Sequence, residues 1–426
     1  MVQEAALAAS IKTRIAALLR NTALPLRVSL WNGTEFDLGP APAVRFVLRR
    51  PELMRRLLRG DVDSLADAYV HGDLAVEGRL EDILKVGIEL AERLGRVRWI
   101  GAVARFLPRR SRRHSRSSDA EWVRHHYDVS NEFYALWLDR RMTYSCAYFH
   151  TGQEDIDTAQ DQKLDHICRK LRLQPGDRLL DVGCGWGGLV EYAVRHYGVR
   201  AVGVTLSERQ YELACRRLGE AGLADRAEIR LQDYRDIADS EPFDKIVSIG
   251  MYEHVGGANR PLYFAKLFGL LKENGLLLNH GITTADPAGA SAGPAGGGFI
   301  DRYVFPGGEL PHIAQVVREM AEQRFEVLDV ENLRPHYAAT LLHWVRRLEA
   351  RKDEVIERVG AARYRIWRIY MAGCAIAFER NWLSLYQVLA GKGGGNGALR
   401  RPWTRRHQYD ADDPAFFPRP LDWAGI

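Results

Sequence analysis

The chain has 426 residues, with 60 Lys plus Arg against 55 Asp plus Glu, 46% hydrophobic and 27% charged side chains, 39 Gly and 17 Pro. This is ordinary globular composition, which excludes a disordered, collagen-like or fibrous chain and predicts two or three domains whose cores need no covalent staples. The five cysteines, Cys146, Cys168, Cys184, Cys215 and Cys374, are odd in number and include no C-x-x-C pair; they read as reduced thiols of a cytosolic protein, not as a disulfide frame or a metal site.

In chain order, the first 21 residues place Ile11, Ile15, Leu18 and Leu19 among Lys12, Arg14 and Arg20, with an acid at Glu4. That is the pattern of an amphipathic helix and not of a secretory signal. No stretch approaches the roughly 20 consecutive apolar residues that span a bilayer, so any membrane contact is peripheral. Strands over 27–30 and 43–48 around the Asn32-Gly33 turn, and helices over 51–59, 63–70 and 80–94, predict a small α+β domain over 1–105. A basic, Ser-rich stretch containing Arg109, Arg110, Arg112, Arg113 and Arg116 reads as a linker over 106–120.

Residues 1–118 hold 21 Lys plus Arg and 13 Asp plus Glu, a net charge of +8, and the remainder carries −3. Arg49/Arg50 and Arg55/Arg56 add to this basic surface, which suits either a solvated face or a polyanion. No nucleic-acid fold signature accompanies it, so anionic lipid is the expected partner if the rest of the chain points to lipid.

From residue 121 the texture changes. An aromatic segment over 126–137 predicts a helix capped near Ser130. Strands over 178–182, 200–205, 227–231, 245–249 and 275–280 alternate with helices over 189–196, 208–221 and 262–271. This order specifies an α/β fold, a parallel, doubly wound, Rossmann-like sheet with helices on both faces. A Gly/Ala/Pro-rich loop over 288–298, helices from 312 and over 337–374, and a polar tail over 391–426 complete the chain, leaving 121–390 as the catalytic domain.

The first of these strands runs into Asp181, Gly183, Gly185, Gly187 and Gly188 and then directly into a helix, where glycines let the backbone approach a ligand at a helix N-terminus. Gly183, Gly185 and Gly188 also satisfy G-x-G-x-x-G, so a dinucleotide and a purely structural turn are the alternatives. The dinucleotide reading wants a ribose-binding acid about 20 residues on, and the second strand ends instead in Thr205, Leu206 and Ser207. Asp181 is better placed for the ammonium group of S-adenosylmethionine.

Eight separated segments then resemble one family, the cyclopropane fatty-acyl-phospholipid synthases and their mycolic-acid relatives. They are the segments beginning at His126, Met142 (MTYSCAY), Leu180 (LDVGCGWGG), Gly203 (GVTLS, with Gln210), Gln232 (QDYRD), Ser248 (SIGMYEHVG), Phe305 (FPGG) and Pro335 (PHY). The resemblance covers roughly 120–385 and implies a class I methyltransferase fold with helical insertions. It implies that Tyr144, Ser145 and Gly183 line an S-adenosylmethionine site, with Thr205, Leu206 and Gln210 near the ribose, Asp233 and Tyr234 at the adenine and Ile249 packed beside it. It also implies a bound bicarbonate contacted by Cys146, Glu253, His280, Ile282 and Tyr337, with Cys374 near the same pocket. The region before 105 resembles the extra domain of the phospholipid-modifying branch.

Elementary chemistry fits these residue types. A carbon–carbon double bond is a poor nucleophile, so it must be pressed against the sulfonium methyl in a dry site. The carbocation that results must lose a proton from the new methyl for a ring to close, and a hydrogen-bonded bicarbonate serves as base and stabilising anion without the alkylation risk of a thiolate. Tyr127, Phe149 and Tyr303 are candidates to stabilise the cation through their ring faces. The expectation is methylene transfer to the cis double bond of unsaturated phospholipid acyl chains, by a cytoplasmic enzyme held peripherally at the inner face of the membrane. The alternatives are the same transfer giving methyl-branched or methylene fatty acids, a nonenzymatic lipid carrier, and a small-molecule methyltransferase. A homodimer is compatible with the sequence.

Overall fold

The structure, a computed structural model, describes residues 10, 11, 13, 17, 24–58, 61–98, 130–238, 240–287, 297–304, 309–394 and 399–410. The predicted linker, Tyr127, the 305–308 motif, most of the N-terminal helix and of the 288–298 loop, and the end of the tail lie outside the described residues. The chain divides into two compact units, one from Met1–Arg112, Ser291–Pro306 and Leu341–Trp382, the other from Arg113–Ala290, Gly307–Thr340 and Leu383–Ile426.

The first unit holds strands β1 (Leu26–Ser29), β2 (Glu35–Asp37), β3 (Val44–Leu48) and β4 (Leu74–Gly78), and helices α1 (Glu52–Leu58), α2 (Val62–His71) and α3 (Leu80–Arg98). Gly33 takes φ +82° and the Asn32 side chain accepts from the Thr34 amide at 3.1 Å, which turns β1 back on itself. The strand that returns is the short β2, unforeseen from the sequence, and the predicted partner β3 instead runs parallel to β1. The sheet order is β2-β1-β3-β4. Its apolar face, with Val28, Val44 and Leu48, packs on Leu53, Tyr69 and Val86. Asp61 caps α2 by accepting from the Ser64 amide, and Gly72 ends it at φ +81°.

The second unit is built on a seven-stranded sheet. Helices α4 (Asn131–Ala135) and α5 (Ile156–Lys170) precede β5 (Arg178–Val182), α6 (Gly188–Tyr197), β6 (Arg200–Thr205), α7 (Glu208–Glu220), β7 (Ala227–Leu231), β8 (Phe243–Ile249), α8 (Arg260–Leu270) and β9 (Leu271–Thr284). After α9 (Gly297–Tyr303), which belongs to the first unit, come α10 (Ile313–Glu322), β10 (Glu326–Asn332), α11 (Arg334–Ala350), α12 (Lys352–Val359), α13 (Ala361–Glu379) and β11 (Leu383–Gly391). The unit boundary at 340/341 falls within α11. The predicted helix over 337–374 is three helices, and Gly360 at φ +83° separates α12 from α13.

Strand order is β10-β11-β9-β8-β5-β6-β7. The five predicted strands are parallel neighbours, as expected. Two further strands extend this edge, β11 antiparallel to β9 and then β10 antiparallel to β11. Alternate residues of β5 and β9 feed opposite faces. Leu179, Leu276 and Leu278 pack with Leu164, Val190 and Ala214 from α5, α6 and α7, while Leu180 and Leu277 pack with Phe264 and Met320 from α8 and α10. Among the described residues no helix is long and apolar enough to cross a membrane.

Gly203, in the centre of β6, is a tightly packed position on the first face. A Cβ there would lie 2.9 Å from Cys184 Cβ, Cys184 Sγ and Ile229 Cδ1. Gly203→Ala is therefore expected to cost about 1–3 kcal/mol of stability through overpacking, measured as a shift in the urea midpoint; an unchanged midpoint would show that this contact relaxes freely.

Candidate active site

Doubly wound sheets bind ligands beyond the carboxyl ends of their parallel strands. At the end of β5, Gly183, Gly185 and Gly187 take φ values of +83°, +55° and +78°, a run of left-handed conformations open to glycine and strained for other residues. The Gly183 amide is held by the Val204 carbonyl at 3.0 Å, and α6 starts at Gly188. Asp181 is 2% exposed; burial pushes its carboxyl up to about 7, with Lys163 opposing that rise. At the end of β6 the buried Thr205 hydroxyl donates to Gln210 Oε1 at 2.7 Å and accepts from the Ser207 amide, fixing the start of α7. After β7, Asp233 accepts from the Arg235 amide and guanidinium, and Tyr234 is buried edge-on to Tyr263. Leu206 and Ile249 are half-buried.

Three consecutive strand ends thus offer a carboxylate, a hydroxyl–amide pair and a second carboxylate around a backbone cradle. These groups fit an ammonium, a ribose and an adenine, so the donor set suits S-adenosylmethionine. Tyr144 packs against Tyr134 and Trp137 with ring centroids 5.7 and 5.5 Å away. Ser145 follows, its carbonyl accepting from Gln160 at 2.8 Å and its hydroxyl from Lys163 at 3.0 Å.

The ends of β8 and β9 carry the second cluster. Glu253 lies in a 3₁₀ turn, Tyr252–His254, just beyond β8, and its Oε1 accepts from the Ile282 amide at 2.6 Å. The resemblance assigns that amide to the anion; here it aims the carboxylate. Burial pushes the Glu253 carboxyl up to about 7, against the pull of the Ile282 amide. His280 Nδ1 meets Gln387 Nε2 of β11 at 3.2 Å, and burial keeps its imidazole neutral by pushing its pKa well below 6.5. Glu253 Oε2 and His280 Nε2, both buried, find no hydrogen-bond partner among the described residues. Gly281 faces the carboxylate, and a Cβ there would sit 3.7 Å from both Glu253 oxygens.

Cys146 and Tyr337 converge on one carbonyl. The Cys146 thiol points at Leu333 O at 3.9 Å, and the Tyr337 amide donates to the same oxygen at 3.1 Å. The Cys146 thiol is fully buried, which pushes its pKa far up and keeps it neutral. Thr340 of α11 accepts from the Ala147 amide at 3.0 Å, and His336 Nδ1 accepts from the Phe149 amide at 3.0 Å, so segment 144–149 is fastened to α11.

Five expected anion-site residues, Cys146, Glu253, His280, Ile282 and Tyr337, therefore lie in the second unit. Cys374 belongs to the first unit, on α13, with its thiol pushed up to about 12 by burial; Tyr303 is in the first unit as well. Sequence reasoning missed Lys163 and Gln387. Lys163 sits on α5, a helix signalled by Asp155 before Thr158 and by apolar residues at Ile156, Ala159, Leu164 and Ile167. Gln387 is a buried polar residue inside the largely apolar run of β11.

The Glu253 carboxyl holds its proton more tightly in the fold than at its ordinary value of 4.5. Its favourable contribution is complete below about 4.5 and is lost as pH rises through about 7. Glu253→Gln, which still accepts from Ile282, is expected to raise stability by about 2–3 kcal/mol at about pH 8 and by nothing near pH 4.5. Urea unfolding at the two pH values checks this; equal gains at both would contradict it.

Comparison with known proteins matches the chain to one family. The family model for mycolic acid cyclopropane synthetase matches residues 114–388, and a domain of unknown function matches residues 15–96. The chain is 46% identical, over 92% of its length and 98% of the relative's, to a Pseudomonas putida protein named "Probable fatty acid methyltransferase". It is 35% identical, over 84% of its length and 90% of the relative's, to the cyclopropane-fatty-acyl-phospholipid synthase of Escherichia coli K12. The mycolic acid cyclopropane synthase CmaA1, solved with SAH and CTAB, superposes with a TM-score of 0.61 at 36% identity, covering 64% of this chain and 98% of that one. The chain belongs to the mycolic acid cyclopropane synthetase family and is an S-adenosylmethionine-dependent methyltransferase that modifies lipid.

Proposed function

We propose that the chain transfers a methylene unit to the cis double bond of unsaturated phospholipid acyl chains, closing a cyclopropane ring. The observation that carries this reading is that Glu253 Oε2 and His280 Nε2, both buried, have no hydrogen-bond partner among the described residues. A buried polar atom is expensive to leave unsatisfied, and a small oxyanion such as bicarbonate, with both acceptor and donor oxygens, would satisfy the two together. S-adenosylmethionine supplies the electrophilic methyl when bound. Asp181 would hold its ammonium, Thr205 and Gln210 its ribose, and Asp233 and Tyr234 its adenine.

Around the reacting carbons the residues divide the work. His280, kept neutral, and Tyr337 would hydrogen-bond the anion, and Glu253, aimed by Ile282, would orient it to accept the proton from the new methyl. Cys146, kept as a thiol, would wall the site without becoming a competing nucleophile. The substrate cation needs water excluded until the ring closes, which the buried aromatic and thiol lining favours.

A bilayer substrate requires docking, and residues 1–105 are proposed for it. Arg49, Arg50, Arg55 and Arg56 are all exposed in the first unit, a basic surface suited to anionic lipid at the inner face of the cell membrane. Binding to anionic vesicles is expected to weaken as ionic strength rises from about 0.1 to about 1 M, where screening shortens from about 10 to about 3 Å; salt-insensitive pelleting would contradict it.

The deciding experiment incubates the protein with S-adenosylmethionine, bicarbonate and vesicles of cis-unsaturated phospholipid and reads the acyl chains by mass spectrometry and proton NMR. The expected result is one added methylene with strongly shielded ring protons. An added carbon without those protons would assign the methyl-branched product instead, and no added carbon would reject the lipid substrate. Glu253→Gln and His280→Gln are each expected to lower kcat by about 100-fold while leaving S-adenosylmethionine affinity unchanged by calorimetry.

A further inference from the structure

Strand β11 carries Leu385, Gln387 and Leu389 at alternate positions, so the three share one face of the sheet. Its antiparallel register sets Leu389 opposite Leu278, Gln387 opposite His280 and Leu385 opposite Ile282 of β9. Directly opposed residues of such a pair project to the same side, and here an amide in a row of leucines meets an imidazole. Gln387 is completely buried and His280 is 1% exposed, with Gln387 Nε2 3.2 Å from His280 Nδ1.

Packing does not call for an amide at this position. Burying one costs stability unless its hydrogen bonds are made, and Gln387 Oε1 has no hydrogen-bond partner among the described residues. The bond that is made determines the chemistry of the ring it touches. An amide nitrogen donates and does not accept, so Nδ1 receives with its lone pair, and a neutral imidazole that accepts at Nδ1 carries its hydrogen on Nε2. Protonating Nδ1 as well would set N–H against N–H. Burial, which pushes the imidazole well below 6.5, acts in the same direction.

We propose that Gln387 is a positioning residue of the methyltransferase site, which fixes the ring plane of His280 and holds the tautomer in which Nε2 bears the hydrogen. The inference rests on the reading of His280 as a hydrogen-bond partner of a small oxyanion. His280 Nε2 is buried with no partner among the described residues, and an oxyanion is bonded there only by a donor. The opposite tautomer would present a lone pair to the anion and repel it.

The third state of the ring is equally unsuited to the reaction. An imidazolium would hand its proton to bicarbonate, which would then no longer accept one from the new methyl. In the tautomer that Gln387 holds, His280 keeps its hydrogen throughout. The proton that leaves the new methyl goes to the anion, and none passes through Gln387.

The test combines a tautomer measurement, which needs neither anion nor turnover, with a kinetic one. Long-range proton–nitrogen NMR of the full chain, made with isotope-labelled histidine, reads which ring nitrogen is protonated, and the His280 signal is assigned by its absence in His280→Gln. The expected result is a protonated Nε2 and an unprotonated, hydrogen-bonded Nδ1. In Gln387→Leu the Nδ1 resonance is expected to move toward that of an unbonded ring nitrogen. Gln387→Leu is also expected to lower kcat by about tenfold while leaving S-adenosylmethionine affinity unchanged by calorimetry. Gln387→Met carries the same expectations and serves where the leucine variant does not fold. In a His280→Gln background either substitution is expected to lower kcat no further, because Gln387 acts through the ring. A wild-type His280 protonated at Nδ1, full kcat in both variants, or an undiminished loss beside His280→Gln would each overturn the inference while the wild-type product keeps the reading of the reaction intact. Wild-type protein that transfers no methylene would overturn that reading and the positioning role together.

Discussion

A single hydrogen bond from one strand end to the next governs the reactive cluster, the Ile282 amide to Glu253 Oε1 at 2.6 Å. It fixes the carboxylate against β9 with its second oxygen buried, and much of the surrounding structure holds it there. The turn bearing Glu253 is braced from behind, because Tyr252 donates to Glu319 at 3.3 Å and the buried Arg260 guanidinium bonds both Glu319 oxygens at 3.1–3.2 Å. Glu309 adds a bond from the Gly257 amide at 2.6 Å, one loop further on. Breaking a buried ion pair of this kind by removing one partner is strongly destabilising, whereas the pair as a whole adds little net stability. Its value here is geometric, since it leaves the turn one position to adopt.

The electrostatics of the second unit follow from the same dryness. Burial drives the Cys146, Cys168 and Cys184 thiols upward and the His280 imidazole downward, so these groups are neutral near pH 7. Asp181 and Glu253, both shifted to about 7, are the acids left poised between states. Under the proposed reaction the site would have to keep a carbocation from water and from nucleophiles, for which neutral walls are suited, and perturbed acids concentrated at strand ends are what functional sites tend to show.

The far edge of the sheet repeats this logic for structure. Lys170, fully buried, pairs with Asp329 at 3.2 Å and Glu331 at 2.5 Å, and Glu331 also takes His166 Nε2 at 2.7 Å. Tyr148 stacks between His166 and His336, with centroids 4.3 and 4.7 Å away, and Arg405 reaches Asp329 at 2.6 Å. Burial alone would raise the Glu331 carboxyl, but His166 and Lys170 hold it down at about 2. This network ties α5, β10 and the segment around Gln408 together, and through His336 and Phe149 it reaches the segment that carries Cys146.

Local pattern was enough for the five parallel strands, the helices between them, the glycine turn and the Ser130 cap, whose hydroxyl accepts from the Phe133 amide as the spacing requires. These elements are legible because a strand buried on both faces reads as an apolar run and a turn at positive φ demands glycine. Motif spacing also located Asp181 at the end of β5 and Glu253 just beyond β8, since a parallel sheet delivers every such end to one edge; His280 instead lies inside β9, which runs on to Thr284, at the point where its pairing with β8 stops. Long-range pairing was not legible. The alternation in β10 is charged, β11 follows directly after a long helical stretch, and only their register with β9 brings Gln387 to His280. The parallel pairing of β1 with β3, the use of the Ile282 amide by Glu253 and the approach of Cys146 to Leu333 depend on residues far apart in sequence. Lys163 shows the same division, because a lysine on an amphipathic helix reads as a solvated side chain, and tertiary packing alone buried its charge beneath the site.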